Sequence, residues 1–282
     1  MDLRIATCRP LPEPDVDEEI LLGALRARGI AARMAAWNDP AEPWDERVPT
    51  VIRSTWDYIH DMHAFRFWLD RVERAGPLWN PGIVVRDNLH KRYLLNLERH
   101  GVPIVPTELI GHAARTTLAK VLALRGWGDV VVKPAVGAGS FGTQRFGPGD
   151  LSAGNAHLQR LLSEERDVLV QPYEPSVEGH GERALVWIDG AFTHAVRKTP
   201  RFGTDPERVS EALAIEPDEL ELGVRALEPH AEKLLYGRVD VARGPDGRPR
   251  VMELELVEPS LFLKQSPAAL ERLAGGIARR LH

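Results

Sequence analysis

The segment from Tyr236 to Phe262 constrains the fold more than any other part of the sequence. It contains two runs of apolar and charged residues around Asp246-Gly247, a pair typical of β-hairpin turns. A hairpin symmetric about this pair would place Asp240 opposite Glu253. Side chains alternate between the faces of a strand, so one face would carry charged residues and the other an apolar set. The charged set is Arg238, Asp240, Glu253 and Glu255, and the apolar set is Val239, Val241, Met252, Leu254 and Leu256.

Three carboxylates on one face would repel one another unless a positive charge lies among them. Carboxylate oxygens are hard ligands that suit Mg²⁺, which often bridges carboxylates to the phosphates of a substrate. The alternative is a solvated face on which Arg238 is a simple counter-ion. Pro245 cannot donate a backbone hydrogen bond in the turn, and one extra turn residue would move Asp240 off the shared face. The hairpin alone leaves both interpretations open.

The composition excludes several classes of protein. The chain has 282 residues and a net charge of −5, which gives no indication of a nucleic-acid-binding surface. A single cysteine, Cys8, excludes an intramolecular disulfide and a cysteine-based zinc site, and it is consistent with a reducing cytoplasm. The N-terminal residues do not resemble a signal peptide, and no apolar run is long enough for a transmembrane helix. We therefore expect a cytoplasmic protein.

The first part of the chain predicts a small open α/β lobe. Strands are expected at Leu3–Thr7, Ile30–Trp37 and Val48–Ser54, with a helix over Asp17–Arg28. The last strand runs into polar and aromatic residues, at the strand end where open α/β sheets place ligands. The candidate substrate residues are Arg53, Ser54, Thr55, Trp56, Asp57 and Tyr58. Alternatively, Trp56 and Tyr58 belong to the core and Arg53 forms a surface ion pair.

The middle of the chain carries two lysines that suggest an anion. An extended segment is predicted over Leu78–Val85 and a helix over Asp87–His100, with Lys91 in its first turn, where the helix dipole does not favour a cation. A further helix, over Thr116–Leu124, is expected to be capped by Thr116. Lys133 ends a strand and precedes a glycine-rich loop whose backbone N–H groups could form an anion cradle. The loop residues are Gly137, Gly139, Ser140, Phe141 and Gly142. A flexible hairpin loop is the alternative interpretation.

The third part adds a strand, a hairpin and two helices. The strand Asp167–Gln171 runs into Pro172-Tyr173-Glu174-Pro175, where the prolines predict a hinge. A second hairpin, turning at Asp189-Gly190, carries Arg183, Arg197 and Lys198. Arg201–Glu211 is expected to be a mobile loop. Helices are predicted over Pro217–Tyr236, with an interruption near Pro229, and over Pro267–Leu281. Together, the lysines, glycine loop and carboxylates match what phosphoryl transfer requires.

From about Arg53 onward the sequence resembles the ATP-grasp superfamily, in its glutathione-synthetase-like branch. The segments NLHKRYLL, VVVKPAVGAGSFG, LVQPYEP and GERALVWIDG carry this resemblance. It implies that Lys91, Lys133 and the glycine loop bind the ATP phosphates and that Asp240, Glu253 and Glu255 bind Mg²⁺. The family commonly has Asn where this chain has Glu255. A narrower resemblance, to a subgroup that includes the cyclo-ligase of cycloserine biosynthesis, is carried by RSTWDY, LWNP, GRVDVAR and ELELVEPSLF.

The resemblance also implies roles for the remaining candidates. Gln171, Pro172 and Tyr173 would contact adenine and Glu178 the ribose, while Lys198 would contribute to nucleotide binding. Arg183, Arg197 and Arg238 would be catalytic and would stabilise oxyanions. The implied fold is α/β (α+β), an ATP-grasp fold with an N-terminal α/β substrate lobe over residues 1–85, a small lobe over 86–170 and a metal-binding lobe over 171–282.

The implied activity is that of an ATP-dependent ligase joining a carboxylate to an amine through an acylphosphate. The cofactors would be ATP and Mg²⁺, and the loop Arg201–Glu211 would exclude water. The substrate would be a small amino acid or derivative, with ring closure within one molecule as one version. No nucleic-acid or membrane partner is expected, and a homo-oligomer is left open. Two alternatives are addition of amino acids to a peptide or protein tail and a nucleotide-binding module without turnover.

Overall fold

The computed structural model describes residues 2–199 and 208–281, in which the strands form three four-stranded sheets. The strands are β1 (Leu3–Thr7), β2 (Ala32–Ala36), β3 (Thr50–Ser54), β4 (Leu78–Trp79), β5 (Glu108–Ile110), β6 (Val130–Pro134), β7 (Gln144–Phe146), β8 (Val168–Pro172), β9 (Glu182–Ile188), β10 (Ala191–Lys198), β11 (Tyr236–Arg243) and β12 (Pro249–Glu255). The helices are α1 (Glu18–Ala27), α2 (Met62–Ala75), α3 (Gly82–Asn88), α4 (Tyr93–Arg99), α5 (Leu118–Arg125), α6 (Leu151–Ser163), α7 (Pro217–Leu227) and α8 (Pro267–Leu281). None of the helices in these ranges has the length and apolarity needed to cross a membrane.

The first sheet is parallel, with the order β2-β1-β3-β4, and confirms the predicted open α/β lobe. Asp61 caps α2 by accepting a hydrogen bond from the backbone N–H of Ala64 at 2.8 Å. Below the sheet, Trp68 stacks on Phe65 at 5.1 Å between ring centroids and packs edge-on against Trp44 at 5.2 Å. This aromatic cluster fills the space between α2 and the sheet.

One helix expected from the sequence is two short helices separated by a turn. The chain is helical from Gly82 to Asn88, and Lys91 then lies in the turn before α4. Tertiary hydrogen bonds explain the interruption. The Asn88 side chain donates to Leu254 O at 2.8 Å and accepts from Leu256 N at 2.8 Å, which binds this point of the chain to β12. The predicted helix over 87–100 is therefore confirmed only over Tyr93–Arg99, and the predicted extended segment over 78–85 only over Leu78–Trp79, because Gly82–Asn88 is helical.

The second sheet is antiparallel, with the order β5-β8-β6-β7, and α5 and α6 pack together against it. Its loop between β6 and β7 is the glycine-rich segment. The predicted cap of α5 was one residue early, because the Thr117 side chain, rather than that of Thr116, accepts a hydrogen bond from Lys120 N.

The third sheet is antiparallel, with the order β10-β9-β11-β12, and it is the centre of the molecule. The β9–β10 hairpin turns at Asp189 (φ 44°) and Gly190 (φ 92°), as predicted. The first sheet is joined to this sheet through Asn80, a buried residue whose amide donates to Tyr236 O and Leu256 O, both at 2.8 Å. Helix α4 also packs on this sheet, although the predicted boundary at residue 86 assigned it to the small lobe.

The predicted register of the β11–β12 hairpin is confirmed. Asp240 lies opposite Glu253, and Arg238 lies opposite Glu255. The turn is longer than two residues, since Arg243 pairs with Pro249, but a β-bulge between Asp240 and Val241 compensates for the odd turn length. The bulge also changes one detail of the prediction. Met252 leaves the apolar face and packs near Tyr173 and Ala242, while Val251 takes its place in the core.

Candidate active site

A cavity of about 780 Å³ is lined by residues from all three sheets and their loops. The first lobe contributes the loop after β3, the second contributes the glycine-rich loop and the end of β8, and the third contributes one face of β11 and β12. Such a cleft between lobes is the usual location of a small-molecule site.

Asp240 is fully buried and does not itself line the cavity, but it is bound by two residues that do, Arg238 and Lys198. Arg238 binds both of its carboxylate oxygens, with Nε 2.7 Å from Oδ1 and Nη2 2.8 Å from Oδ2. Lys198 adds a second cation, with Nζ 3.1 Å from Oδ2. Burial by itself would raise the pKa of Asp240, but Arg238 and Lys198 outweigh burial and lower the pKa to about 2. Asp240 is therefore a carboxylate at neutral pH.

Glu253, opposite Asp240, connects the hairpin to the two predicted phosphate lysines. Its Oε1 lies 2.6 Å from Lys133 Nζ, and its Oε2 lies 3.3 Å from Lys91 Nζ. Burial opposes ionisation, yet Lys133 and Lys91 hold the pKa of Glu253 well below its usual range. Glu253 is thus held in its charged form between the two lysines on one wall of the cavity.

Glu255 completes the carboxylate set and is bound by Arg238 Nη2 at 2.5 Å. Burial raises its pKa to about 7, an effect that Arg238 partly offsets. Arg238 is only 3% exposed, so the alternative of a solvated face with a simple counter-ion is wrong.

These charges fit a divalent cation bound together with phosphates. Four carboxylates, those of Glu182, Asp240, Glu253 and Glu255, are paired with four cations, Lys91, Lys133, Lys198 and Arg238. The three carboxylates of the hairpin offer hard oxygen ligands on one face, which is the donor set that Mg²⁺ prefers. The lysines are positioned to neutralise an anion beside them.

Two of the predicted catalytic arginines do not face the cavity. Arg183 pairs with Val241, whereas Ala184 pairs with Asp240, so Arg183 lies on the opposite face of the sheet. Its guanidinium instead donates to Ala214 O at 2.6 Å and lies 3.3 Å from Glu219. Arg197, its partner on β10, is exposed and donates to Gly179 O at 3.4 Å. The neighbouring residues Glu182 and Lys198 face the cavity and bind each other at 2.8 Å.

The glycine-rich loop forms the part of the wall above the lysines. Gly139, Ser140 and Gly142 all have left-handed backbone conformations, with φ values of 56°, 61° and 64°. A side chain at Gly142 would bring a Cβ within 3.2 Å of the Pro134 ring, which explains why glycine suits this position. Lys91 Nζ donates to Gly137 O at 3.2 Å. Phe141 packs edge-on against His60 of the first lobe, with ring centroids 5.5 Å apart.

The predicted adenine residues form an apolar end of the cavity. Gln171, Pro172 and Tyr173 line it together with Met252, and Gln171 donates to the Thr107 hydroxyl at 2.9 Å. Arg145 stacks on the Tyr173 ring at 3.5 Å. Glu178, expected to contact ribose, is largely exposed outside the cavity wall and is bound by Tyr173 Oη at 2.8 Å and Arg145 at 2.9 Å.

Of the six predicted substrate residues, the structure brings only Trp56 and Tyr58 to the cavity wall. Arg53 is only 1% exposed, so it forms neither a surface ion pair nor a contact with a substrate in the cavity. Its guanidinium donates to Pro259 O at 2.8 Å and lies 3.8 Å from Asp17. The other three residues also lie outside the cavity lining. Ser54 donates to the Thr7 hydroxyl, Thr55 is buried, and Asp57 accepts hydrogen bonds from Trp37 and Asn38.

Glu258 is a residue of the cavity wall that the sequence analysis did not select. Its carboxyl interacts with the Tyr58 hydroxyl, and burial together with the nearby Glu255 raises its pKa to about 8. A signal was present in the sequence, because Glu258 follows the last predicted metal ligand by three residues and directly precedes a proline. Charge pattern alone could not indicate that the first lobe meets this point of the chain.

Comparison with known proteins agrees with the fold. A family model for the N-terminal domain of D-cycloserine synthetase DcsG matches residues 3–80. The cycloserine biosynthesis protein DcsG of Streptomyces lavendulae is 34% identical over 95% of this chain and 94% of its own length. A glutathione synthetase of Neisseria meningitidis serogroup A is 27% identical over 46% of this chain.

Solved structures give the same result. The crystal structure of D-cycloserine synthetase DcsG covers 100% of both chains with a TM-score of 0.90 at 33% identity. The ATP-grasp ligase PsnB, in complex with a minimal precursor, Mg and ADP, has a TM-score of 0.66 at 19% identity and covers 99% of this chain and 98% of its own. D-alanine–D-alanine ligase of Bacillus anthracis has a TM-score of 0.68 at 15% identity, over 100% of this chain and 97% of its own. The matches to PsnB and to D-alanine–D-alanine ligase, at these low identities, show similarity of fold alone.

Proposed function

The chain belongs to the family of D-cycloserine synthetase DcsG, whose members are ATP-grasp enzymes, and is an ATP-dependent ligase that forms carbon–nitrogen bonds; from this premise we propose that it closes a ring within a small amino-acid derivative, as in cycloserine formation. The observation that carries the proposal is the extent of the match, which includes the first lobe as well as both nucleotide-binding lobes. The first lobe supplies Trp56 and Tyr58 to the cavity. Its similarity to the DcsG N-terminal domain therefore supports a similar substrate as well as the use of ATP.

In this proposal, Lys91, Lys133 and the glycine-rich loop bind the phosphates of ATP. Gln171, Pro172, Tyr173 and Met252 surround the adenine at the apolar end of the cavity. Asp240, Glu253 and Glu255 would hold Mg²⁺, which supplies positive charge where a carboxylate and a phosphate must approach each other. The contacts of Lys91 and Lys133 with Glu253 support this assignment, since the two proposed phosphate-binding lysines lie next to a proposed metal ligand.

The reaction begins when an oxygen of the substrate carboxylate attacks the γ-phosphorus of ATP, giving an acylphosphate and ADP. A nitrogen of the same substrate then attacks the acyl carbon, phosphate leaves, and the carbon–nitrogen bond closes the ring. Arg238, held by Asp240 and Glu255, is the arginine placed to stabilise the charge on the acyl oxygens. An acylphosphate hydrolyses readily, so the site must exclude water. The loop proposed for this purpose, Arg201–Glu211, lies mostly outside the described residues.

Ligation to a peptide or protein tail is the second candidate, because PsnB shares the fold and was solved with a precursor. A nucleotide-binding module without turnover is the third. The lysines and carboxylates are all present and paired in the site, which favours a catalyst over such a module, since binding alone does not require three metal ligands.

One assay separates the three candidates. ADP release is measured with Mg²⁺ and ATP in the presence of the two enantiomers of O-ureidoserine, a panel of amino acids and amines, and a set of short acidic peptides. Stimulation by O-ureidoserine alone, with a cyclic product, supports the proposed function. Stimulation by peptides would support tail ligation, and tight ATP binding without turnover on any compound would support the module. Either of these two results would overturn ring closure.

A further inference from the structure

Three side chains hold the backbone that follows β12. Trp56 Nε1 donates to Glu258 O at 3.0 Å, Arg53 Nη1 to Pro259 O at 2.8 Å, and Arg238 Nη1 to Ser260 O at 3.1 Å. Three consecutive carbonyl groups thus accept hydrogen bonds from side chains of the first lobe and of β11. Bonds of this kind restrain the backbone that carries Glu258, so the starting point of its side chain on the cavity wall is set before any ligand arrives.

The Glu258 carboxyl lies on the cavity wall beside the Tyr58 hydroxyl. It differs from the other carboxylates in this part of the cavity. Glu182, Asp240, Glu253 and Glu255 each form an ion pair with a lysine or arginine, whereas none of the ion pairs among the described residues includes Glu258. Lys91 and Arg238 act on it only at longer range, and both are bound to other carboxylates. A carboxyl group in such surroundings lacks the cation that its ionised form requires.

We propose that Glu258, held beside Tyr58, binds the amino group of the substrate. This inference rests on the proposed function and deepens it, because it names the part of the substrate that the first lobe helps to recognise. The reacting carboxylate must lie next to Arg238 and the carboxylates of the hairpin. The α-amino group of an amino acid is attached to the carbon next to that carboxylate, so it must lie close by. Glu258 follows Glu255 by three residues and faces the same cavity.

Charge supports the same assignment. Glu255 and Glu258 interact unfavourably, and this repulsion contributes to the raised pKa of Glu258. An ammonium group between the substrate carboxylate and Glu258 would relieve the repulsion and form a charge-assisted hydrogen bond. Trp56 and Arg53 act indirectly in this scheme, as positioning residues that fix the backbone carrying Glu258.

The experiment compares two ligands that differ only in the amino group. O-ureidoserine and its desamino analogue, 3-(ureidooxy)propanoate, are titrated calorimetrically into the protein with Mg²⁺ and a non-hydrolysable ATP analogue, and ADP release is measured in parallel with ATP. For Glu258→Gln we expect affinity for O-ureidoserine to fall about 10- to 100-fold, as for the loss of one hydrogen bond between charged groups. Affinity for the desamino analogue and the KM for ATP should not change. Glu228→Gln, the same substitution on an exposed helix end, is the matched control.

The outcomes distinguish this inference from the proposed function. If Glu258→Gln weakens both ligands equally, or weakens neither, Glu258 does not bind the amino group, and the inference is wrong even if the wild-type protein closes the ring. Full affinity of the Glu258→Gln variant for O-ureidoserine would mean that a neutral hydrogen-bonding side chain suffices at this position, which also contradicts the inference. If the wild-type protein binds neither ligand, the proposed function fails and this subsite fails with it.

Discussion

The ammonium group of Lys133 lies 2.6 Å from Oε1 of Glu253. A residue proposed to bind phosphate and a residue proposed to bind the metal are therefore direct partners. A substitution that changes the charge of Lys133 or of Glu253 also changes the electrostatic environment of the other residue. Each such substitution therefore perturbs both members of the pair.

Replacing Glu253 by Gln should abolish turnover while leaving the fold intact. The substitution removes one proposed metal ligand and leaves Lys91 and Lys133 without their shared carboxylate. We expect kcat to fall by at least about 100-fold, the size of effect seen when one electrostatic group of an active site is lost. Steady-state ADP release measures this effect, and circular dichroism checks the fold. Asp246→Asn, at the distant hairpin turn, serves as the control, and normal turnover by Glu253→Gln would contradict the metal assignment.

Arg183 and Arg238 should respond differently to substitution, although the sequence suggested the same role for both. Arg183→Met removes a partner of the buried Glu219 on the far face of the sheet, so it should lower the melting temperature and leave the KM values nearly unchanged. Arg238→Lys should instead reduce kcat, because a lysine cannot span Asp240 and Glu255. A large loss of kcat in a folded Arg183→Met protein would restore the original catalytic role.

Arg53→Met should destabilise the protein by about 3–5 kcal/mol, the range for removing one partner of a buried ion pair. The lost contacts are those with Asp17 and with Pro259 O. Urea unfolding of the wild-type and variant proteins gives this difference. Unchanged stability combined with a raised KM for the carboxylate substrate would instead indicate that Arg53 binds the substrate directly.

The raised pKa of Glu258 makes a testable contribution to stability as pH changes. In the unfolded chain this carboxyl ionises near its ordinary pKa of 4.5, whereas in the folded protein it holds its proton until about pH 8. Between these values the folded state binds more protons, so this contribution weakens as pH rises, by at most about 1.4 kcal/mol per pH unit. Glu258→Gln removes it. The difference in melting temperature, variant minus wild type, should therefore increase from pH 5 to pH 8. A difference that stays constant with pH would contradict the raised pKa of Glu258.

Much of the fold could be predicted because its signals are local. The Asp246-Gly247 turn and the alternation on either side of it were enough to pair Asp240 with Glu253. The two lysines and the glycine-rich loop were also found from the sequence, and the structure brings them to one cavity. These features depend on strand period, turn residues and spacing, all of which can be read from a short window.

The errors arose where contacts between distant segments decide the structure. Asn88 binds β12 and interrupts a helix that the local pattern favours. Arg183 and Glu182 are adjacent, and only the pairing of β9 with β11 decides which of them faces the cavity. Glu258 acquires its surroundings from Arg53 and Trp56, about two hundred residues earlier in the chain. No window of the sequence contains both sides of such contacts.

Met252 is the unpaired residue of β12 at the β-bulge opposite Asp240 and Val241. This bulge links the length of the surface turn to the positions of the carboxylates on the sheet. Deleting one residue from the Gly244–Arg248 turn should shift Glu253 to the wrong side of the sheet only if the bulge at Met252 remains. Removal of both irregularities together would keep every acidic side chain in place. A change of one residue in the length of this turn therefore keeps Glu253 opposite Asp240 only when the bulged residue of β12 is lost with it.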